Sequence, residues 1–239
     1  MSEQTVYATG YITMDGGNDG EFGILDLNRA FAASGGDATI IHINSYGGEA
    51  YAGIALYNLL RAHKSKTIAV VDGIAASAAS VMAFGASSVI IPRNAFMHIH
   101  NAWACKCGDS KDHERSAEEL AQLDAALLSI YAARAKSGID ESTLKKLIER
   151  DCAMTAEEVA RTFEGITVVD SATEIYSAMH FGETPTRSKP NNDPESKTGF
   201  STTTDSNAKA MVNGELLKRL KAFLGEITNE SGGEEKCLR

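Results

Sequence analysis

Short runs of consecutive apolar residues alternate with segments of helical periodicity along most of the chain. The runs at 38–44 (ATIIHIN) and 67–72 (TIAVVD) are apolar over most of their length, which is typical of strands buried in a parallel sheet. The segments between such runs place apolar residues every three or four positions, which predicts helices packed on that sheet. The alternation indicates an α/β fold with a largely parallel sheet.

The pattern predicts bounds for each element. Predicted strands cover 5–13, 38–44, 67–72, 88–91, 95–100 and 167–169. Predicted helices cover 23–33, 50–62, 77–85, 114–135, 141–150 and 156–163.

The composition changes after Gly182, which separates a folded domain at 1–182 from the rest of the chain. Prolines and small polar residues dominate the segment that follows, and such a mixture buries too little apolar surface to offset chain entropy. We therefore predict a flexible linker at 183–212. Apolar residues at helical spacing then predict a short amphipathic helix and tail within 213–239. This helix either docks on its own core or binds a partner at the end of a tether.

The balance of acidic and basic residues excludes some classes of function for this chain. Lys and Arg number 23 against 32 Asp and Glu, a formal net charge of −9, which argues against a nucleic-acid binder. Residues 183–239 hold nine basic and nine acidic side chains, so the whole negative charge lies on 1–182. We expect no membrane-spanning segment, no signal peptide and, from the spacing of the four cysteines, a reducing cytoplasm.

The Gly47-Gly48 pair lies between a predicted strand and a predicted helix. A glycine turn at this position exposes backbone N–H groups that can hold a phosphate or an oxyanion. The segment lacks the Lys-Ser/Thr pair of a phosphate-binding loop. It therefore indicates either an oxyanion-type site or a simple turn.

Ser77 follows a predicted strand and begins a helix of almost entirely small residues. It is either an ordinary helix N-cap, for which Ser is favoured, or an exposed nucleophile. Ser80, one turn later, is a rival nucleophile.

His98 and His100 alternate along a predicted strand and so share one face of it. Such a pair could bind a metal, but no further ligands at clear spacing complete the site, and Cys105 and Cys107 make only a weak alternative. A histidine beside a serine could instead act as a general base.

A serine at a helix start, a strand histidine and a Gly-Gly segment are together the parts of a nucleophilic acyl-transfer site. The site also needs a carboxylate to orient the base. The composition does not identify this carboxylate, because 23 Asp and Glu residues lie within 1–182.

Four segments, in order and with similar spacing, resemble the Clp-type serine peptidases, and more closely the phage head maturation (prohead) proteases related to them. The segments are INSYGGEAYAGIALYNLL, VDGIAASAASVMAFGA, FMHIHNAW and RDCAMTAEEVARTFEGITVVD. Tyr46 stands where the family usually has proline. The resemblance covers about residues 4–171 and implies a ClpP/crotonase-like α/β fold of repeated ββα units with a projecting handle.

The resemblance also implies roles for single residues. Ser77 matches the nucleophile, His100 rather than His98 the base, and Asp151 the acid. Ser80 falls on a non-catalytic helix position. The remaining matched residues are those whose N–H groups form the oxyanion hole, Gly48 and Ala78.

Substrate is expected to add as an extended strand beside Gly47, Gly48 and Glu49 on one side and Asn101 and Ala102 on the other. Trp103, in the same stretch, either lines a subsite or packs. The segment 102–135 matches the handle through which family members pair, and the resemblance implies ring-shaped homo-oligomers acting on protein substrates. It implies no metal and no organic cofactor.

The phage branch is favoured because the first strand begins at about Thr5, which leaves little chain for the hairpin with which ATPase-docking rings begin. The expected activity is serine endopeptidase processing of capsid or scaffold proteins inside assembling proheads in the host cytoplasm, without an ATPase partner. Two alternatives stay open: an ATPase-dependent degradative Clp-type peptidase, and a non-enzymatic assembly scaffold. Enoyl-CoA hydratase-like enzymes share the fold but need no Ser-His pair.

Overall fold

Strands and helices alternate along residues 3–170, the part of the chain that the computed structural model describes. The strands are β1 (Gln4–Ile12), β2 (Glu21–Phe22), β3 (Thr39–Gly48), β4 (Thr67–Ala76), β5 (Ser88–Pro92), β6 (Phe96–His98), β7 (Met154–Thr155) and β8 (Ile166–Val169). The helices are α1 (Ile24–Ser34), α2 (Ala50–Ala62), α3 (Ala78–Gly85), α4 (Ser110–Ala132), α5 (Glu141–Glu149) and α6 (Ala156–Thr162). The predicted linker and tail at 183–239 lie outside the described residues.

The strands form a sheet in the order β2-β1-β3-β4-β5-β8. Every pair along this path is parallel. Strand β6 pairs in parallel with the far end of β4, and β7 pairs antiparallel with β6. The predicted α/β fold with a largely parallel sheet is confirmed.

The larger of two apolar clusters packs helices against one face of the sheet, and α3 lies at its centre with every residue buried. The small residues of α3 allow close packing on α2, since a Cβ added to Gly53 would lie 2.9 Å from the Ala78 Cα. The second cluster alternates with the first along the strands and so lies on the other face of the sheet. Its members are Ile40, Ile68, Val70, Ile90 and Val169.

Two strands continue further than their apolar runs predict. Strand β3 includes Gly47 and Gly48, so the expected glycine turn is wrong: pairing of these residues with Tyr11 and Ile12 of β1 keeps them in the sheet. Strand β4 likewise runs to Ala76 through its pairing with β6. Both extensions bring strand ends to the same edge of the sheet.

Two other predictions also need correction. Strand β6 ends at His98 rather than at His100. Helix α4 begins four residues before the predicted start, because Asp109 caps it and Asp112 completes a capping box, and it ends at Ala132 rather than at residue 135. Strands β2 and β7 were not predicted, since each has only two residues.

No helix within 3–170 is both long and apolar enough to cross a membrane.

Candidate active site

Ser77 joins the end of β4 to the start of α3. Its backbone lies at φ 52° and ψ −126°, a region that costs a non-glycine residue about 1–3 kcal/mol. The Ser77 N–H donates to the His98 carbonyl at 2.9 Å, so β6 fixes this conformation. Ser77 is the N-cap of α3, yet its side chain makes no capping bond. Its hydroxyl makes no hydrogen bond to any part of the chain that the structure describes, and it is therefore available for chemistry.

Ser80 lies one turn further into α3 and is fully buried. Its hydroxyl donates to the Ser77 carbonyl at 2.7 Å and lies 3.2 Å from the Tyr131 hydroxyl. Burial raises the pKa of Tyr131 to about 12, with the Ser80 bond acting in the opposite direction. Because Ser80 donates its proton to the Ser77 carbonyl, the Tyr131 hydroxyl is the donor in its contact with Ser80. The geometry favours Ser77 over Ser80 as the nucleophile.

A cavity of about 340 Å³ opens beside Ser77. Its lining includes every residue predicted to stabilise an oxyanion or to bind substrate: Gly47, Gly48, Glu49, Ala78, Asn101 and Ala102. His100 also lines it, whereas Asp151 does not. The structure thus brings the predicted nucleophile, base and oxyanion residues to one cavity.

The position of Gly47 has no room for a side chain. Its φ is +102°, and an added Cβ would lie 2.6 Å from the Ser77 Cβ and 3.0 Å from the Ala78 nitrogen. The Ala78 N–H lies in the first turn of α3, where N–H groups lack partners within the helix. An added Cβ at Gly48 would lie 2.1 Å from the Ile12 carbonyl oxygen. The backbone of β3 can pass this close to Ser77 only without side chains.

The acid is the one predicted residue that the structure places elsewhere. The Asp151 Oδ1 lies 2.9 Å from the His98 Nε2, so the expected contact with His100 is replaced by one with His98. The two imidazole rings are 5.1 Å apart between centroids. Within 3–170, His100 makes no hydrogen bond. The roles of His100 and Asp151 remain predictions.

Sequence reasoning missed most of the aromatic residues around the cavity. Tyr11, Tyr46 and Trp103 line it and are largely exposed, Tyr46 by 82% of its surface. Two signals were available: Tyr46 at the family's proline position, and Trp103, for which lining a subsite was one of two predicted roles. Trp103 does line the cavity. Val81, Leu127 and Tyr131 complete an apolar wall. An extended peptide with large apolar side chains suits such a lining.

Metal binding finds no support in the described part of the chain, which contains no group of three potential metal ligands. Cys105, Cys107 and Cys152 are free and exposed. Of the two histidines, His98 contacts Asp151, and His100 lines the cavity instead.

The chain belongs to the Clp protease family, because the family model described as "Clp protease" matches residues 31–166, more than half of its length. An "ATP-dependent Clp protease proteolytic subunit" from Deinococcus radiodurans is 31% identical over 124 residues, 51% of this chain and 59% of that protein. A protein of the same name from Pleurastrum terricola is 32% identical over 133 residues, 54% and 65% of the two chains. The chain thus spans less than two thirds of these curated relatives.

A solved structure extends the likeness to the fold. A ClpP1 mutant from Listeria monocytogenes matches with a TM-score of 0.57 at 19% identity, over 71% of this chain and 93% of that one. The predicted ClpP-like α/β fold is therefore confirmed.

Proposed function

We propose that the protein is a serine endopeptidase in which Ser77 is the nucleophile, His100 the base and Asp151 the acid that orients the base. The observation that carries the proposal is the Ser77 hydroxyl, which makes no hydrogen bond to residues 3–170, lies at a strained strand-to-helix junction and shares a cavity with His100. A serine that only caps a helix has no need of this conformation, since ordinary N-caps bond the helix N–H groups.

The proposed roles define a two-stage reaction. His100 accepts the Ser77 proton while the Ser77 oxygen attacks a peptide carbonyl, and the N–H groups of Gly48 and Ala78 stabilise the resulting oxyanion. The amine leaves with the proton from His100. Water, deprotonated by His100, then hydrolyses the acyl-enzyme and regenerates Ser77. In this mechanism Asp151 acts from a contact with His100, in place of its contact with His98 in the structure. From there it fixes the tautomer of His100 and stabilises its imidazolium form.

Ser77→Ala tests this proposal directly. We expect hydrolysis of a fluorogenic peptide with a large apolar residue before the scissile bond to fall by about 10³-fold or more. Ser116→Ala, in α4 and outside the cavity lining, is the matched control and should retain full activity. Equal activity of Ser77→Ala and the control would exclude Ser77 as the nucleophile.

We further propose that the substrates are capsid or scaffold proteins, cleaved during phage head maturation in the host cytoplasm by a ring-shaped homo-oligomer. The support is in the sequence: the resemblance of the four segments, and a polar linker at 183–212 that ends in an apolar helical pattern suited to docking on a shell. Co-expression with the capsid protein, followed by mass spectrometry of the processed termini, tests it. Processing that continues with Ser77→Ala would refute it.

The second candidate is a degradative peptidase that works with an ATPase. It is favoured by the relatives, whose names call them ATP-dependent proteolytic subunits. Degradation of an unfolded protein that requires both ATP and a captured ring ATPase would support this candidate. ATP-independent cleavage of capsid protein would support head maturation.

A further inference from the structure

His98 and Asp151 form an imidazole–carboxylate hydrogen bond beside the cavity but outside its lining. The His98 Nε2 lies 2.9 Å from the Asp151 Oδ1, and the side chains are 26% and 68% exposed. Within 3–170, the Asp151 carboxylate has no other hydrogen-bond partner. The carboxylate is thus held by one imidazole and is otherwise in contact with solvent.

The two histidines face different partners. His100 lines the cavity with Ser77, whereas His98 does not. The His98 carbonyl already accepts the Ser77 N–H, which fixes the backbone of His98 beside the nucleophile. His98 therefore contacts the proposed acid and lies beside the proposed base, but it does not line the cavity that holds Ser77.

Asp151 has the freedom to change partners. It follows the end of α5 with φ at 48°, a left-handed conformation that Asp adopts more readily than most residues with a side chain. The His98 and His100 rings are 5.1 Å apart between centroids, so a rotation of the exposed Asp151 side chain with a small backbone adjustment could bring the carboxylate to either ring.

We propose that His98 is a positioning residue that competes with His100 for Asp151. With Asp151 on His98, the base has no carboxylate to fix its tautomer. With Asp151 on His100, the proposed nucleophile, base and acid are all in place. The rate of the acyl-transfer step then depends on the fraction of molecules in the second arrangement. This inference rests on the proposed roles of His100 and Asp151.

His98→Met tests the proposal, because it replaces the competing imidazole with an apolar side chain of similar length at the end of β6. We expect kcat for peptide hydrolysis to rise by about threefold or more, while KM stays the same because His98 does not line the cavity. His98→Gln keeps a hydrogen-bond donor and should give a smaller rise. It also keeps the test valid if the methionine variant folds poorly.

Two controls isolate the contact. His42→Met breaks the other imidazole–carboxylate pair, the 2.7 Å contact of His42 with Asp72, outside the cavity lining, and should leave kcat unchanged. In an Asp151→Ala background, His98→Met should give no rise, because there is then no carboxylate to release.

An unchanged or lower kcat in both His98 variants would overturn the proposal, as would a rise that persists without Asp151. Failure of the proposed function looks different: the unmodified protein would then hydrolyse no peptide and Ser77→Ala would make no difference.

Discussion

Two serines one turn apart in α3 show how position decides the chemistry of a side chain. Ser77 precedes the helix in a strained conformation, and its hydroxyl makes no hydrogen bond within 3–170. The Ser80 hydroxyl is instead buried and bonded to the Ser77 carbonyl. Tyr131 supports Ser80 from α4. A chain of hydrogen bonds therefore runs from Tyr131 through Ser80 to the backbone of Ser77, and each bond strengthens the next in a buried setting.

Tyr131→Phe should loosen this support without removing any apolar contact. We expect the free energy of unfolding to fall by about 1 kcal/mol, and kcat to fall several-fold because the Ser77 backbone is less firmly held. Chemical denaturation and peptide hydrolysis measure the two effects. If Ser80→Ala and the double variant show the same loss in kcat as Tyr131→Phe, the residues act as one unit. Full activity in Tyr131→Phe would contradict the role given to the chain.

The buried Tyr131 hydroxyl also makes stability depend on pH in alkali. Its pKa is raised from 10.0 to about 12 by burial, so the unfolded chain loses this proton at a lower pH than the folded chain does. Stability should therefore fall as pH rises from about 10 to about 12. Denaturation curves across this range, compared with those of Tyr131→Phe, measure the effect. The substitution should remove this part of the slope, and an identical slope in both proteins would contradict it.

At the scale of elements, the site depends on how closely β3 passes the start of α3. Gly47 and Gly36 both have φ near +100°, but an added Cβ meets Ser77 only at Gly47 and meets nothing within 4 Å at Gly36. A substitution at either glycine would therefore strain the backbone, but only at Gly47 would the added side chain also collide with Ser77.

Gly36→Ala should cost about 1 kcal/mol of stability from strain alone. Gly47→Ala should cost clearly more and should lower kcat by about 100-fold, since the new methyl group pushes Ser77 and the Ala78 N–H out of position. Thermal unfolding and peptide hydrolysis of both variants provide the comparison. Equal effects in the two would show that close packing at Gly47 has no catalytic role.

The sequence predicts which elements exist better than it predicts where they end and meet. Apolar runs locate the central strands, because a strand that is buried on both faces has consecutive apolar residues in its own sequence. The continuation of β3 through Gly47 has no such signal, since it depends on pairing with β1, more than thirty residues earlier in the chain. The alternation of His98 and His100 predicts that they share a face, but the partner of Asp151 depends on the end of α5, which only the folded chain brings there.

On the scale of the whole molecule, all the proposed site residues lie within 3–170. A chain ending at residue 182 should therefore hydrolyse a small peptide within about twofold of the full-length rate, since binding and chemistry involve only cavity residues. If the tail docks on a shell, the same truncation should reduce processing of capsid protein. A large loss of peptide hydrolysis would show that residues 183–239 contribute to the site itself.

The net negative charge of the chain affects how copies of the whole molecule assemble. The net charge of −9 lies on 1–182, the part we propose to assemble into a ring, and like charges brought together repel less as salt increases. The ring should therefore form more completely at about 0.5 M salt than at low salt, as measured by native mass or sedimentation. Assembly that weakens with salt would indicate contacts held by opposite charges instead.

Labelling with a fluorophosphonate probe, followed by peptide mapping, tests the central claim most directly. The probe reacts with a serine hydroxyl that an adjacent base activates. We predict a single label on Ser77, lost in His100→Ala and retained in Ser116→Ala. A label on Ser80, or no label in a folded protein, would contradict the account.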